Sequence, residues 1–128
     1  MRVLELGEVL ELHRWVLADS GGSPGVRDRG ALESAVAQPD AGHAGGRFYG
    51  DVVEAASALS HALALGHPFV DGNKRVAHAA LETMLVLNGL ELAADVDELE
   101  RVFLDLAGGD LDRQALTDWV RQRVTERA

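Results

Sequence analysis

An all-α bundle of about five or six helices is the architecture this 128-residue sequence predicts, and three observations carry it. Two long segments, Asp51 to Leu65 and about Asn73 to Leu87, are strongly apolar, the first on nearly every side, as a helix in the middle of a bundle is. A third, Leu6 to Ala18, sets Leu6, Val9, Leu10, His13, Val16 and Leu17 at spacings of three and four, the stripe of an amphipathic helix. Two later segments, Asp97 to Leu106 and Asp112 to Val124, open with acidic residues that complement a helix N-terminus. With 47% hydrophobic residues, a single domain over residues 1–128 is expected, with one core burying roughly two thirds of the surface an unfolded chain exposes.

Punctuation separates these elements. The run SGGSPG, Ser20 to Gly25, ends the first helix, and Asp28 caps a short one through Leu32 to Ala37, its carboxylate accepting orphan backbone N–H groups. Pro39 is expected to stop that element. From Asp40 to Gly50 the sequence DAGHAGGRFYG carries four glycines and predicts either an open loop or a loose hairpin around Gly45-Gly46, a candidate flap. Gly66 is the expected stop of the first apolar helix, because glycine accepts the left-handed conformation of a C-terminal cap, and Asn88-Gly89 ends the second. The last helix finishes near Arg121 and Arg123, cations that suit a C-terminus.

Charge and composition exclude several functions. A formal charge of -9 and a pI near 4.9 argue against direct nucleic-acid binding, which depends on basic residues, and favour a basic partner. With no cysteine there is neither a disulfide framework nor a thiolate metal site, which suits a reducing cytoplasm. The opening MRVLELGEVL interrupts any signal-like apolar run with glutamates, and no apolar stretch approaches the ~18 residues that span a bilayer. The expectation is a cytoplasmic protein with no membrane partner. No internal repeat or low-complexity tract is present.

The two most apolar helices are joined by HPFVDGNKR, His67 to Arg75. His67 precedes a proline, which disfavours the α region and predicts that it leaves the helix on an extended backbone. Phe69 can anchor the loop in the core; Gly72 permits positive φ and close approach of another molecule. A tight turn running into a helix N-terminus aims unpaired N–H groups at one spot, where the dipole favours an anion. Lys74 and Arg75 in that first turn oppose the dipole by ~0.3 to 1 kcal/mol each, a conflict that an anion removes. Backbone donors, the Asn73 amide and the two cations could hold a phosphate, with Asp71 supplying the hard oxygen that Mg2+ needs beside it. His67 is the candidate general base for an attacking hydroxyl, because imidazole titrates near neutral pH. The same residues also fit an ordinary helix junction, and residue chemistry alone reaches a phosphate site without fixing a reaction.

The stretch resembles the signature of the Fic/Doc family, written roughly H-x-F-x-[D/E/N]-[A/G]-N-[G/K]-R, with His67, Phe69, Asp71, Gly72, Asn73, Lys74 and Arg75 filling every specified position. GGSPGVRDRGALESAVAQP, Gly21 to Pro39, and the NGL at Asn88 to Leu90 are similar to the Doc branch, so the resemblance reaches to about Leu92. It implies the all-α Fic fold and transfer of part of ATP or another nucleoside triphosphate to a protein hydroxyl. Most Fic enzymes transfer AMP. Doc toxins transfer the γ-phosphate to a threonine of elongation factor Tu, blocking translation, and bind the nucleotide in the reverse sense. Lys74 stands where most AMP-transferring members have glycine, and His78 where they have a second arginine; both departures favour phosphoryl transfer, with AMPylation the alternative. Gly72 replaces the alanine of the best-known Doc sequence, though relatives accept either. The resemblance also assigns the segment containing Gly45, Gly46 and Arg47 to a flap that aligns the target. The self-inhibitory motif [S/T]-x-x-x-E-[G/N] is absent, which implies inhibition by another chain, a small antitoxin whose tail folds on binding. A catalytically silent nucleotide- or partner-binding module is the reading from a different class.

Other residues have plainer readings. A zinc site at His61, His67 and His78 would leave Asn73, Lys74 and Arg75 unexplained, and His61 is expected to be a satisfied core or cleft histidine. Glu54 is either a capping or salt-bridge partner or a group orienting Lys74 or Arg75. Arg27 and Asp28 are expected to be a loop pair and helix cap, with contact to the nucleotide or partner as the alternative. Trp15 and Trp119 are expected to pack in the core or between helices. Phe48 and Tyr49 are expected to close the core rather than face a target.

Overall fold

The computed structural model describes residues 1–43 and 46–127, of His43 the backbone alone. Its helices are α1 (Leu6–Ser20), α2 (Arg29–Ala37), α3 (Val52–Gly66), α4 (Asn73–Leu87), α5 (Val96–Ala107) and α6 (Arg113–Arg123), with a 3-10 turn at Gln38–Asp40. β1 (Gly42–His43) pairs antiparallel with β2 (Gly46–Arg47), and β3 (Leu90–Leu92) with β4 (Val124–Glu126). The expected all-α bundle is therefore observed, with two small ribbons attached. No helix among the described residues is long and apolar enough to cross a membrane.

α3 is the centre of the bundle. Val53, Leu59 and Leu63 are buried together with Ala55, Ala56, Ala58 and Ala64, whose small side chains let neighbouring helices approach closely. Against it lies α4 through Val76, Ala77, Ala80, Leu81 and Met84, and the buried Ser60 hydroxyl donates to the Ala77 carbonyl at 2.7 Å. A polar side chain so placed is tolerated because its hydrogen bond is made inside the core. Leu4 and Val9, Leu32 and Ala35, Phe103 and Leu106, and Leu116 and Val120 close the core from the other helices.

Helix starts follow one rule with one exception. Asp28, Asp51, Asp95 and Asp112 each accept an N–H three residues on, at 2.8 to 3.0 Å, and Glu8 accepts the N–H of Glu5 at the start of α1. Five of the six helices thus have an acidic side chain at the N-terminus, where it satisfies orphan donors and complements the dipole. α4 begins on Gly72 with no side-chain cap.

Several boundaries differ from expectation. α2 ends at Ala37, as expected from Pro39, but a 3-10 turn follows directly, with Pro39 near its start, where its missing N–H costs nothing. α5 is capped by Asp95, two residues before the expected start. The β3–β4 ribbon has no counterpart in the sequence reading, because strands of three residues are too short to establish alternation. Trp15 is 72% exposed on α1 and Phe48 is 66% exposed, so neither packs as expected. Trp119 does pack against the core, with the Arg123 guanidinium 4.8 Å from its ring centroid, and Tyr49 closes the core while donating to Gln38 Oε1 at 3.2 Å.

Candidate active site

The junction between α3 and α4 is held from several directions. Its first residue departs from the expectation of an extended backbone: Gly66 stays helical, and His67 takes the left-handed conformation, φ 44° and ψ 54°. No other described residue apart from glycine has positive φ. Proline at 68 makes the right-handed helix unfavourable for His67, and the left-handed one closes α3 as a C-terminal glycine usually does. Arg27 meets the carbonyls left over: its Nε donates to the His67 carbonyl at 2.8 Å and its Nη2 to that of Gly66 at 3.2 Å. The side chain expected in a loop pair is therefore a cap on the helix that carries the candidate base.

The segment ahead of α2 also grips the loop through its backbone. Arg27 and Asp28 both donate N–H groups to the Pro68 carbonyl, at 2.7 and 3.0 Å, and Val70 donates to the Gly25 carbonyl at 3.0 Å. Phe69, 1% exposed, is the expected anchor. Its ring stacks on His13 of α1 with centroids 3.8 Å apart, and the other side of that histidine's task is a 2.9 Å hydrogen bond from Nε2 to the Asp71 carbonyl. The side-chain amide of Asn73, expected at the phosphate, braces the loop backbone. Its Oδ1 accepts the Phe69 N–H and its Nδ2 donates to the Phe69 carbonyl, both at 2.9 Å.

These constraints fix the polar groups. The Asp71 carboxylate accepts the Ser23 N–H at 3.1 Å through Oδ2 and the Gly72 N–H at 3.0 Å through Oδ1. Gly22 permits this approach, since a Cβ there would lie 2.9 Å from Asp71 Oδ2. Gly72, at φ 80°, turns the chain into α4 as expected. Among the described residues, the N–H groups of Asn73, Lys74 and Arg75 have no acceptor. His67, Asp71, Gly72, Asn73, Lys74 and Arg75 line one cleft of about 380 Å3, together with Val70 and Ala107. His67, Lys74 and Arg75 are exposed within it, and Arg75 Nη2 lies 3.2 Å from Asp19 of α1. Such a solvent-exposed pair contributes well under ~1 kcal/mol and leaves the guanidinium free to change partners.

Asp71 is a fitting single carboxylate for Mg2+, which binds through one or two carboxylates and substrate phosphates. Each of its oxygens retains a lone pair beyond the hydrogen bond described, while the described residues form no cluster of three His, Cys, Asp or Glu side chains for an all-protein cage.

Glu54 takes the first of its two expected roles, a capping and salt-bridge partner, and does not orient Lys74 or Arg75: it accepts the Gly50 N–H at 2.8 Å, faces Arg121 at 3.5 Å, and sits 12 residues before Gly66 on α3, ~18 Å by helical rise. His78 is outside the phosphate cleft, stacked on Phe103 at 4.7 Å with Nε2 3.0 Å from Glu82. His61, half-buried on α3, has no hydrogen-bond partner among the described residues; burial lowers its pKa first, and the Arg113 guanidinium further. The flap segment forms a hairpin with Gly42 opposite Arg47 and His43 opposite Gly46; Gly46 and Arg47 are exposed, Arg47 pairs with Asp40 at 2.9 Å, and Gly45 lies outside the described residues. His13, Ser23 and Asp19 were missed as site residues, and Arg27 was expected only as a loop partner or a nucleotide or partner contact, not as the cap of α3. The signal for His13 was a polar residue within the apolar stripe of α1; for Ser23 only the Gly21 to Pro39 resemblance pointed to the segment, and Asp19 had no signal.

The fold and this cleft define a family. The Fic/DOC family profile matches residues 3–85, which run from just before α1 through most of α4, and the chain belongs to that family, in its Doc-like branch. It is 44% identical over 98 residues, 75% of each chain, to Toxin Doc of Mycolicibacterium smegmatis. It is 30% identical over 122 residues, 95% of each chain, to Protein kinase doc of Escherichia phage P1.

Proposed function

We propose that this protein is a Doc-like toxin that transfers the γ-phosphate of ATP or another nucleoside triphosphate to a Ser or Thr hydroxyl of a protein, with Mg2+. The observation that carries this reading is the one cleft in which His67, Asp71 and the uncapped start of α4 meet. The names of the relatives, a toxin and a protein kinase, support both halves of it.

The geometry supports the following mechanism. The N–H groups of Asn73, Lys74 and Arg75, with the two cations, receive the transferring phosphoryl group, and their attraction, with that of the α4 dipole, grows as negative charge accumulates there. The His67 imidazole accepts the hydroxyl proton as the oxygen bonds to phosphorus and the bond to the departing nucleoside diphosphate breaks. Asp71 would hold Mg2+, which would neutralise phosphate charge when bound. Removing the base is expected to lower the rate ~10²- to 10⁴-fold.

Elongation factor Tu is the proposed target and a small antitoxin with a folding tail the proposed inhibitor; both come from the Doc resemblance. The test uses the purified chain, Mg2+, ATP labelled separately at the α and γ positions, and elongation factor Tu among candidate translation factors. Transfer of the γ label, lost in His67→Ala, is the expected result. Transfer of the α label would make the enzyme an adenylyltransferase, and equal cellular toxicity of His67→Ala and wild type would reduce it to a binding module.

A further inference from the structure

Among the described residues His13 is the only buried ionisable side chain, 5% exposed on the inner face of α1, and the chemistry proposed above does not use it. A buried polar atom needs a partner, and its Nε2 finds one in the Asp71 carbonyl, 2.9 Å away. We propose that His13 is a positioning residue for the Asp71 carboxylate, the group that would hold Mg2+, an inference that rests on the function proposed above.

Packing fixes the direction in which the imidazole donates. The ring lies flat on Phe69, with centroids 3.8 Å and planes 9° apart, and a Cβ on Gly72 would stand 3.9 Å from its Cδ2. A carbonyl oxygen only accepts, so Nε2 carries the proton. What it grips is one end of a rigid unit. The peptide plane joining Asp71 to Gly72 turns its C=O to His13, and its N–H donates to Asp71 Oδ1 at 3.0 Å. Fixing the carbonyl therefore fixes the donor that orients the carboxylate, and polarising the C=O strengthens the N–H at the other end. The Ser23 N–H, 3.1 Å from Oδ2, holds the second oxygen from a different segment. Without the imidazole the plane is free to turn, because Gly72 tolerates many backbone angles, and one of the two donors to the carboxylate is lost. Outer-shell partners of this kind are worth ~10- to 100-fold in metal affinity, and His13, acting through the peptide, belongs at the low end.

Two substitutions separate the donor from the ring. His13→Gln keeps an N–H near the place of Nε2 and loses the stack; His13→Phe keeps the stack and loses the N–H. The affinity of the full chain for tripolyphosphate is measured calorimetrically with Mg2+ and, separately, with EDTA, and the ratio of the two reads the metal's contribution. Exchange of the Gly72 amide hydrogen is followed by NMR in the metal-free protein. His13→Phe is expected to lower the ratio ~10-fold and to speed Gly72 exchange while leaving the affinity in EDTA unchanged. His13→Gln is expected to keep most of the ratio and a slow Gly72 exchange, a split that loss of packing alone does not produce. A wild-type ratio or wild-type Gly72 exchange in folded His13→Phe, or an equal loss in both variants, overturns the positioning role and leaves the proposed function standing. Asp71→Asn tests the reading underneath. If it leaves the ratio at the wild-type value, Asp71 is not the metal group, and the proposed function loses its Mg2+ site and His13 its role together.

Discussion

Replacing His67 by glycine should stabilise the fold while removing its candidate base. The residue is held at φ 44° and ψ 54°, a conformation that costs an L-residue ~1 to 2 kcal/mol. Comparing His67→Gly with His67→Ala isolates the backbone, because both variants lack the imidazole. Alanine retains the left-handed cost; glycine does not, but loses ~0.4 to 1 kcal/mol more conformational entropy on folding. The difference leaves glycine more stable by ~0.5 to 1 kcal/mol, about 2 to 4 °C in melting temperature for a chain of this size. Thermal denaturation by circular dichroism reads the stability, and labelled-phosphate transfer reads the activity. Both variants should be inactive, with the glycine variant melting higher. A glycine variant that melts at or below the alanine variant would refute the claim that residue 67 stores strain.

Other predictions concern the supports around that residue. Arg27→Met keeps the aliphatic stem but removes donors to the His67 and Gly66 carbonyls; it should cost ~1 to 2 kcal/mol in a denaturant titration and lower kcat more than it raises KM. His13→Phe preserves a ring against Phe69 but leaves the Asp71 carbonyl without its donor, which should cost ~1 to 3 kcal/mol, checked by the same titration. Asp19→Ala releases Arg75 and should tighten triphosphate binding by no more than ~5-fold, measured calorimetrically. The folded-state pKa of His61 is lowered by burial, so the unfolded chain binds its proton more readily. Its contribution to stability is present above pH ~6.5 and lost as pH falls through the lowered folded-state value; His61→Leu should flatten that limb of the melting profile.

Most of the bundle was legible because its signals are local. The apolar periodicity of α1, α3 and α4, the aspartate cap at 28 and the acidic opening at 112 depend on neighbours within a few residues. The residues that came together around the cleft from within HPFVDGNKR were legible for the same reason. What stayed hidden was set by distant parts of the chain. Nothing near Asn73 announces that its amide will bracket the Phe69 backbone, and nothing near Arg27 announces that it will cap a helix ending 39 residues later. His67 illustrates a competition between local rules. The following proline excludes the right-handed helix, but it does not choose between extended and left-handed backbone; the Arg27 hydrogen bonds favour the latter.

The exception at α4 connects this architecture to the chemistry. An aspartate at position 72 would supply the kind of cap used by α2, α3, α5 and α6, yet it would fill the anion position with a carboxylate and meet a backbone at φ 80° that disfavours side chains. Glycine leaves the donors open, and the adjacent cations make the bare terminus costlier still in the absence of an anion. That cost is offset by contacts to the preceding loop: α1 supplies His13, the segment before α2 supplies Ser23 and Arg27, and Asn73 turns its own amide back onto the loop. Gly72→Asp should consequently separate stability from binding in a direction opposite to the His67 glycine variant. Tripolyphosphate affinity should fall at least ~10-fold, since a fixed carboxylate replaces an attraction with a repulsion. The melting temperature should change far less, because cap formation and left-handed strain oppose each other. A tripolyphosphate affinity equal to wild type in a correctly folded Gly72→Asp protein would place the anion somewhere other than the start of α4.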